Sequence, residues 1–176
     1  MKNLFIVRHA KSDWSHAGLR DHDRPLSERG FHDAPLMAEL LKNVLTNELQ
    51  TLPAEVQLMS SSATRARTTA AFFATAFGQS AEKLHIESDI YEADLSDIFY
   101  VIGQLDAAKN TAFLFGHNPT LTYFVSQFAE KVIVNMPTCG VSLLQSTAEN
   151  WSDVNRKNTT MENYWFPKLV LSAYQS

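Results

Sequence analysis

The stretch Leu4-Phe5-Ile6-Val7-Arg8-His9, near the amino end of this 176-residue chain, decides the fold. A short, continuous apolar run of aromatic and branched residues is the pattern of a strand covered on both faces, as in parallel sheets. Here it runs straight into a cation and an imidazole. A strand that ends this way sets both groups at the rim of a sheet, where open α/β sheets keep their binding crevices.

Outward from this strand (3–7), the pattern repeats. Residues 10–27 are polar, contain Gly18 and Pro25, and form a long loop. Ser27-Glu28-Arg29-Gly30 opens a helix whose apolar positions Ala34, Met37, Leu40, Leu41, Val44 and Leu45 recur at helical spacing. Pro53 interrupts the chain, and residues 56–60 make a second strand. A helix from Ala63 to Phe77 is expected to be capped by Ser60-Ser61-Ser62 and closed at Gly78. Residues 85–87 form a short strand and 95–105 a helix. Thr111-Ala112-Phe113-Leu114-Phe115 is a strong strand, followed by Gly116-His117-Asn118-Pro119, with Pro119 at the first position of a helix over 119–129. Residues 141–144 and 168–173 are expected to complete the sheet as strands, and the polar stretch 149–163 to be an exposed loop or hairpin. Strands alternating with helices predict a single domain over 1–176. Its fold class is α/β, a three-layer α/β/α sandwich with a mostly parallel central sheet.

Composition sets the bounds. A hydrophobic fraction of 45% with 19% charged residues is ordinary for a globular domain, and this length buries roughly 70% of the surface of the unfolded chain. A net charge of −4 at pH 7 gives no global attraction to nucleic acid or to an anionic membrane. Any phosphate site must be a local knot of positive charge. Cys139 is the lone cysteine, which excludes an intrachain disulfide and a CxxC zinc site, and it is expected to be a small buried hydrophobe. The amino end has no signal-peptide pattern, and no stretch approaches the ~20 apolar residues of a membrane span. A cytoplasmic protein is expected.

Three predicted strands end on chemically pointed residues: Val7 into Arg8-His9, Met59 into Ser60 through Arg65, and Phe115 into Gly116-His117. Parallel strands bring those ends to one edge. Two arginines there form a bidentate grip suited to an oxyanion, above all phosphate, and Arg65 near a helix start adds backbone N–H groups and the helix dipole. A neutral imidazole beside bound phosphate can attack phosphorus, while a second donates hydrogen bonds to the developing charge. Glu92, after the third strand, is the candidate general acid. Ser12 and Arg24 are candidate substrate-binding residues, with a loop ion pair to Asp21 or Asp23 as the alternative for Arg24. His16, His22, His32 and His85 are assigned structural or solvent-facing roles. No histidine pair has the HExxH or HxH spacing of a metal hydrolase.

VRHAKSDW (7–14) resembles the signature of the histidine phosphatase superfamily, the phosphoglycerate mutase-like fold, in which RHG is the commoner form. Ala10, with Lys11-Ser12 and Trp14, looks like the SixA-type phosphohistidine phosphatase branch. So do DHDRPLSERG (21–30), SSSATRARTTA (60–70), IYEA (90–93), GHNP (116–119) and MPTCGV (136–141). Ser62 stands where relatives often carry proline, and the tail 146–163 is more polar and divergent.

The resemblance implies His9 as the phosphorylated nucleophile, with Arg8, Arg65 and His117 completing the phosphate pocket. It places Glu92 where many members keep their acid, and it implies no metal or cofactor. The chain lacks the long insertion of true mutases, and a short, open site suits a protein-borne phosphohistidine. The expected substrate is therefore a phosphorylated signalling protein such as a phosphotransfer domain. The rivals are a small phosphate ester, a phosphoglycerate mutase reaction and a non-catalytic phosphoprotein-binding role. A monomer is expected.

Overall fold

In the computed structural model, which describes residues 1–173, the apolar run forms strand β1 (Lys2–Arg8). It is followed by α1 (Glu28–Asn43), β2 (Gln57–Ser61), α2 (Thr64–Ala76), β3 (His85–Glu87) and α3 (Leu95–Gly103). Then come β4 (Thr111–Gly116), α4 (Thr120–Ser126), β5 (Val141–Ser146), β6 (Thr159–Trp165) and α5 (Pro167–Ala173). The strands form one six-stranded sheet of order β3-β2-β4-β1-β5-β6. The run from β3 to β1 is parallel, and β5 and β6 are antiparallel.

Alternation along β1 divides the core between two faces. Phe5 and Val7 point to the side covered by α1, α2 and α5, where they pack with Met37, Leu41, Phe73, Phe113, Phe115 and Val170. Leu4 and Ile6 point the other way, into Ile98, Ile102, Leu121 and Phe124 of α3 and α4. The rings of Phe5 and Phe113 stack at 4.2 Å on neighbouring strands. Both faces are covered, so the architecture is the expected α/β/α sandwich. No helix among the described residues is long and apolar enough to cross a membrane.

Three local expectations are corrected. Residues 168–173 lie in α5, not in a strand: Pro167 suits a first helical position, and Val170 packs against the core. The last strand is instead β6, which overlaps the stretch 149–163 from Thr159 on and pairs antiparallel with β5 as the hairpin alternative has it, while Trp151 and Val154 of that stretch are buried rather than exposed. It is the edge strand, so its polar residues face solvent while Thr159 and Tyr164 turn inward. The serine run does not supply the N-cap of α2. Ala63 holds that place without a side-chain cap, and Ser61 Oγ accepts the Ala63 N–H at 3.3 Å. Pro119 immediately precedes α4, which ends at Ser126.

Candidate active site

The parallel register sets the site. Arg8 pairs with Gly116, and Ser60 with Phe115, so β1, β2 and β4 end side by side. His9 N–H donates to Gly116 O at 3.1 Å and Arg8 N–H to Gly140 O at 3.0 Å, which pins the end of β1 from both sides. The Cys139 N–H reaches the carbonyls of both Arg8 and His9 at 3.1 Å, with Cys139 held at a φ of 58°. That left-handed conformation is uncommon for a side chain-bearing residue. The Cys139 thiol is buried, which raises its pKa, consistent with a packing role.

Four of the candidate residues meet at this edge. His9 Nδ1 lies 2.7 Å from Ala10 O and Nε2 lies 3.3 Å from Arg65 Nε. The two imidazoles of His9 and His117 are 5.0 Å apart, centroid to centroid. His117 Nε2 is 2.8 Å from Ser61 Oγ. Arg8 Nη1 donates to Met136 O at 2.6 Å. Burial is the main cause that lowers the His9 pKa to about 4, reinforced by Arg65 and Arg8 and opposed by the Ala10 hydrogen bond. Burial, then the neighbouring His9 and Arg65, lowers His117 to about 3. Both rings are therefore neutral at physiological pH, the state in which an imidazole is a nucleophile. Arg8 Nε and His117 Nδ1 are buried without hydrogen-bond partners. Unpaired buried polar atoms are costly, and they concentrate here.

A cleft of about 370 Å³ opens beside this cluster, lined among others by Asp21, Arg65, Tyr91, Glu92 and His117. Glu92 lies exposed on its wall at a φ of 57°. The structure does not bring Ser12 and Arg24 into contact with the four. Ser12 Oγ takes the Trp14 indole N–H at 3.1 Å, and the Arg24 guanidinium lies 4.2 Å over the Trp14 ring. Arg24 Nε faces Asp21 Oδ1 at 3.9 Å, the ion-pair alternative. His22 bridges Ser62, at 3.0 Å, and the edge of the Tyr91 ring. Among the described residues no cluster of three or more metal-ligating side chains occurs.

Sequence reasoning missed Asp21, Tyr91 and Ser61. Asp21 accepts from Arg65 twice, through Oδ2 at 2.9 Å and its backbone carbonyl at 2.6 Å. Tyr91 O–H donates to the same Oδ2 at 3.0 Å. Nothing in the local sequence couples residues 44 and 70 positions apart.

Residues 4–99 match the model of the histidine phosphatase superfamily (branch 1). An uncharacterised protein of Mycobacterium tuberculosis is 30% identical, over 92% of this chain and the whole of the relative. An uncharacterised chloroplastic protein of Arabidopsis thaliana is 30% identical over 86% of this chain and 70% of the relative. Among solved structures, SixA from Agrobacterium tumefaciens superposes with a TM-score of 0.73 at 24% identity, covering 94% of this chain and 98% of that one. A protein histidine phosphatase SixA complexed with tungstate gives 0.73 at 17%, covering 96% and 99%. These likenesses share the α/β/α fold, and the family match supports phosphatase activity. The chain with Arg8-His9 at the end of its central strand belongs to the histidine phosphatase superfamily and is SixA-like in fold.

Proposed function

We propose that this chain is a cofactor-independent phosphatase that works through a phosphohistidine on His9 and removes phosphate from phosphohistidine on a signalling protein, such as a phosphotransfer domain. The observation that carries the reading is the state of His9: neutral, tied at Nδ1 to Ala10 O, with Nε2 beside the Arg65 guanidinium. His9 Nε2 attacks phosphorus in line, and the bond from phosphorus to the substrate imidazole breaks, that ring carrying a proton from solvent on its other nitrogen so that it departs neutral. Arg8, Arg65 and His117 stabilise the charge on the transferring group. Water then attacks the phosphoenzyme, releasing orthophosphate and restoring neutral His9.

The departing imidazole needs little help from an acid, which fits a Glu92 that stands exposed on the cleft wall. That same placement favours one alternative, a phosphatase of small phosphate esters with Glu92 as proton donor. A fold neighbour described as a mycobacterial glucosyl-3-phosphoglycerate phosphatase, with a TM-score of 0.68 at 13% identity over 94% of this chain, fits that alternative.

The deciding experiment compares turnover of a histidine-phosphorylated phosphotransfer domain and of a phosphomonoester, both in chelator, by wild type and Glu92→Gln. Fast phosphohistidine turnover with little loss in the variant is expected. Fast ester turnover that collapses in the variant moves the assignment to the small-molecule reaction. Full activity in His9→Ala overturns both.

A further inference from the structure

A guanidinium offers five N–H donors along two edges that can each grip an acceptor pair. One edge is Nη1 with Nη2, and the other is Nε with Nη2. In Arg65 the first edge is fully engaged by a single residue: Nη1 donates to the Asp21 carbonyl at 2.6 Å and Nη2 to Asp21 Oδ2 at 2.9 Å. The second edge is the one whose Nε faces His9 Nε2 at 3.3 Å. Asp21 is thus a clamp on the back of the guanidinium, not a plug in front of the nucleophile.

The clamp is itself braced. Asp21 opens a one-turn 3-10 helix (Asp21–Asp23), and its carbonyl also receives the Arg24 N–H at 3.3 Å. Tyr91 O–H donates to Oδ2, and the Arg24 guanidinium faces Oδ1. Partial burial works to raise the Asp21 pKa, but the hydrogen bonds from Arg65 and Tyr91 outweigh it and hold the carboxyl ionised.

From this geometry we infer that Asp21, braced by Tyr91, is a positioning residue that fixes Arg65 so that its Nε/Nη2 edge is presented to the phosphoryl group during attack by His9. The inference rests on the phosphate-pocket reading proposed above. Asp21 does not touch the reacting atoms. It stops the long arginine side chain from turning, and a misplacement near 1 Å in such a group costs roughly a hundredfold in rate.

The test uses Asp21→Ala, Asp21→Asn and Tyr91→Phe, with calorimetric binding of orthovanadate beside turnover of the better substrate found above. Thermal melts check the fold of each variant. In Asp21→Ala, orthovanadate affinity and kcat are expected to fall roughly a hundredfold, with KM changing much less. Asp21→Asn keeps an acceptor oxygen but loses the charge, and should recover to roughly a tenfold loss. Tyr91→Phe should lie between Asp21→Asn and wild type. Asp21→Ala binding orthovanadate as tightly as wild type overturns the inference, and tighter binding overturns it by making Asp21 a competitor for Arg65. Orthovanadate affinities in the expected order from a wild type that turns over neither substrate uphold the clamp and reject the proposed reaction. A wild type that binds no orthovanadate rejects the phosphate pocket and the clamp together.

Discussion

Arg65 Nε donates to His9 Nε2 at 3.3 Å while His9 Nδ1 lies 2.7 Å from the Ala10 carbonyl. A carbonyl only accepts, so the Nδ1 proton is required on that side. An arginine only donates, so Nε2 must carry its lone pair. The two contacts agree on one neutral tautomer, with the lone pair on the nitrogen that accepts from Arg65. The ring holds the tautomer that attack requires before any substrate arrives.

The tautomer is directly observable. In 15N-labelled protein, the imidazole resonances of His9 should show an Nδ1–H, Nε2-unprotonated ring. That pattern should persist unchanged as pH falls through 6.5, the ordinary histidine value, and give way only towards about pH 4. An Nε2–H pattern, or titration of His9 near 6.5, would contradict the geometry.

The same burial couples acidity to stability. Between pH 6.5 and about 4, the unfolded chain protonates His9 and the native protein does not. The unfolded state then holds more protons, so stability rises with pH across this window and is lost as pH falls through it. At about 1.4 kcal/mol per pKa unit, the His9 share is about 3 kcal/mol. His117, lowered to about 3, extends the loss further into acid. Urea unfolding of wild type and His9→Asn at pH 7 and pH 4 measures the share. The difference in stability between the two proteins should shift by about 3 kcal/mol in favour of the variant at the lower pH. Parallel curves would show that His9 is not buried neutral.

How much of this was legible in the sequence follows from the range of each interaction. Strand ends are local features, and parallel pairing then does the rest, so Val7-Arg8-His9 and Phe115-Gly116-His117 announced their shared edge. Arg65 announced itself through its place at a helix start. Asp21 did not: Arg24 offered it a partner within the same loop, and only the folded loop carries it to α2. The end of the chain misled for a different reason. Lys168 to Ala173 is an apolar run too short for periodicity to separate helix from strand. The residues of β6 are polar because an edge strand needs only one covered face, and polarity alone does not separate an exposed loop from a hairpin strand.

The loop that follows His9 is held to α1 through one carbonyl. Lys11 O accepts the Ser27 N–H at 2.8 Å and Ser27 Oγ at 3.1 Å. It also lies where a Cβ on Gly30 would run into it. Two effects of Gly30→Ala therefore oppose each other. Alanine favours a helix over glycine by about 1 kcal/mol, but the clash is with backbone, which cannot rotate away, and overpacking of this kind costs about 1–3 kcal/mol. The clash should win. Gly30→Ala is expected to lower stability by up to about 2 kcal/mol and, because Lys11 follows the Ala10 carbonyl that orients His9, to reduce turnover as well. Gly103, at the end of α3, is the matched control. A Cβ there would meet nothing nearer than Ser152 at 3.6 Å, an ordinary contact. Gly103→Ala should leave turnover unchanged and leave stability equal or raised by up to about 1 kcal/mol. Urea midpoints and turnover of the two variants, side by side, decide it. A Gly30→Ala protein as stable and as active as wild type would mean that the Lys11 carbonyl does not hold the catalytic loop against α1.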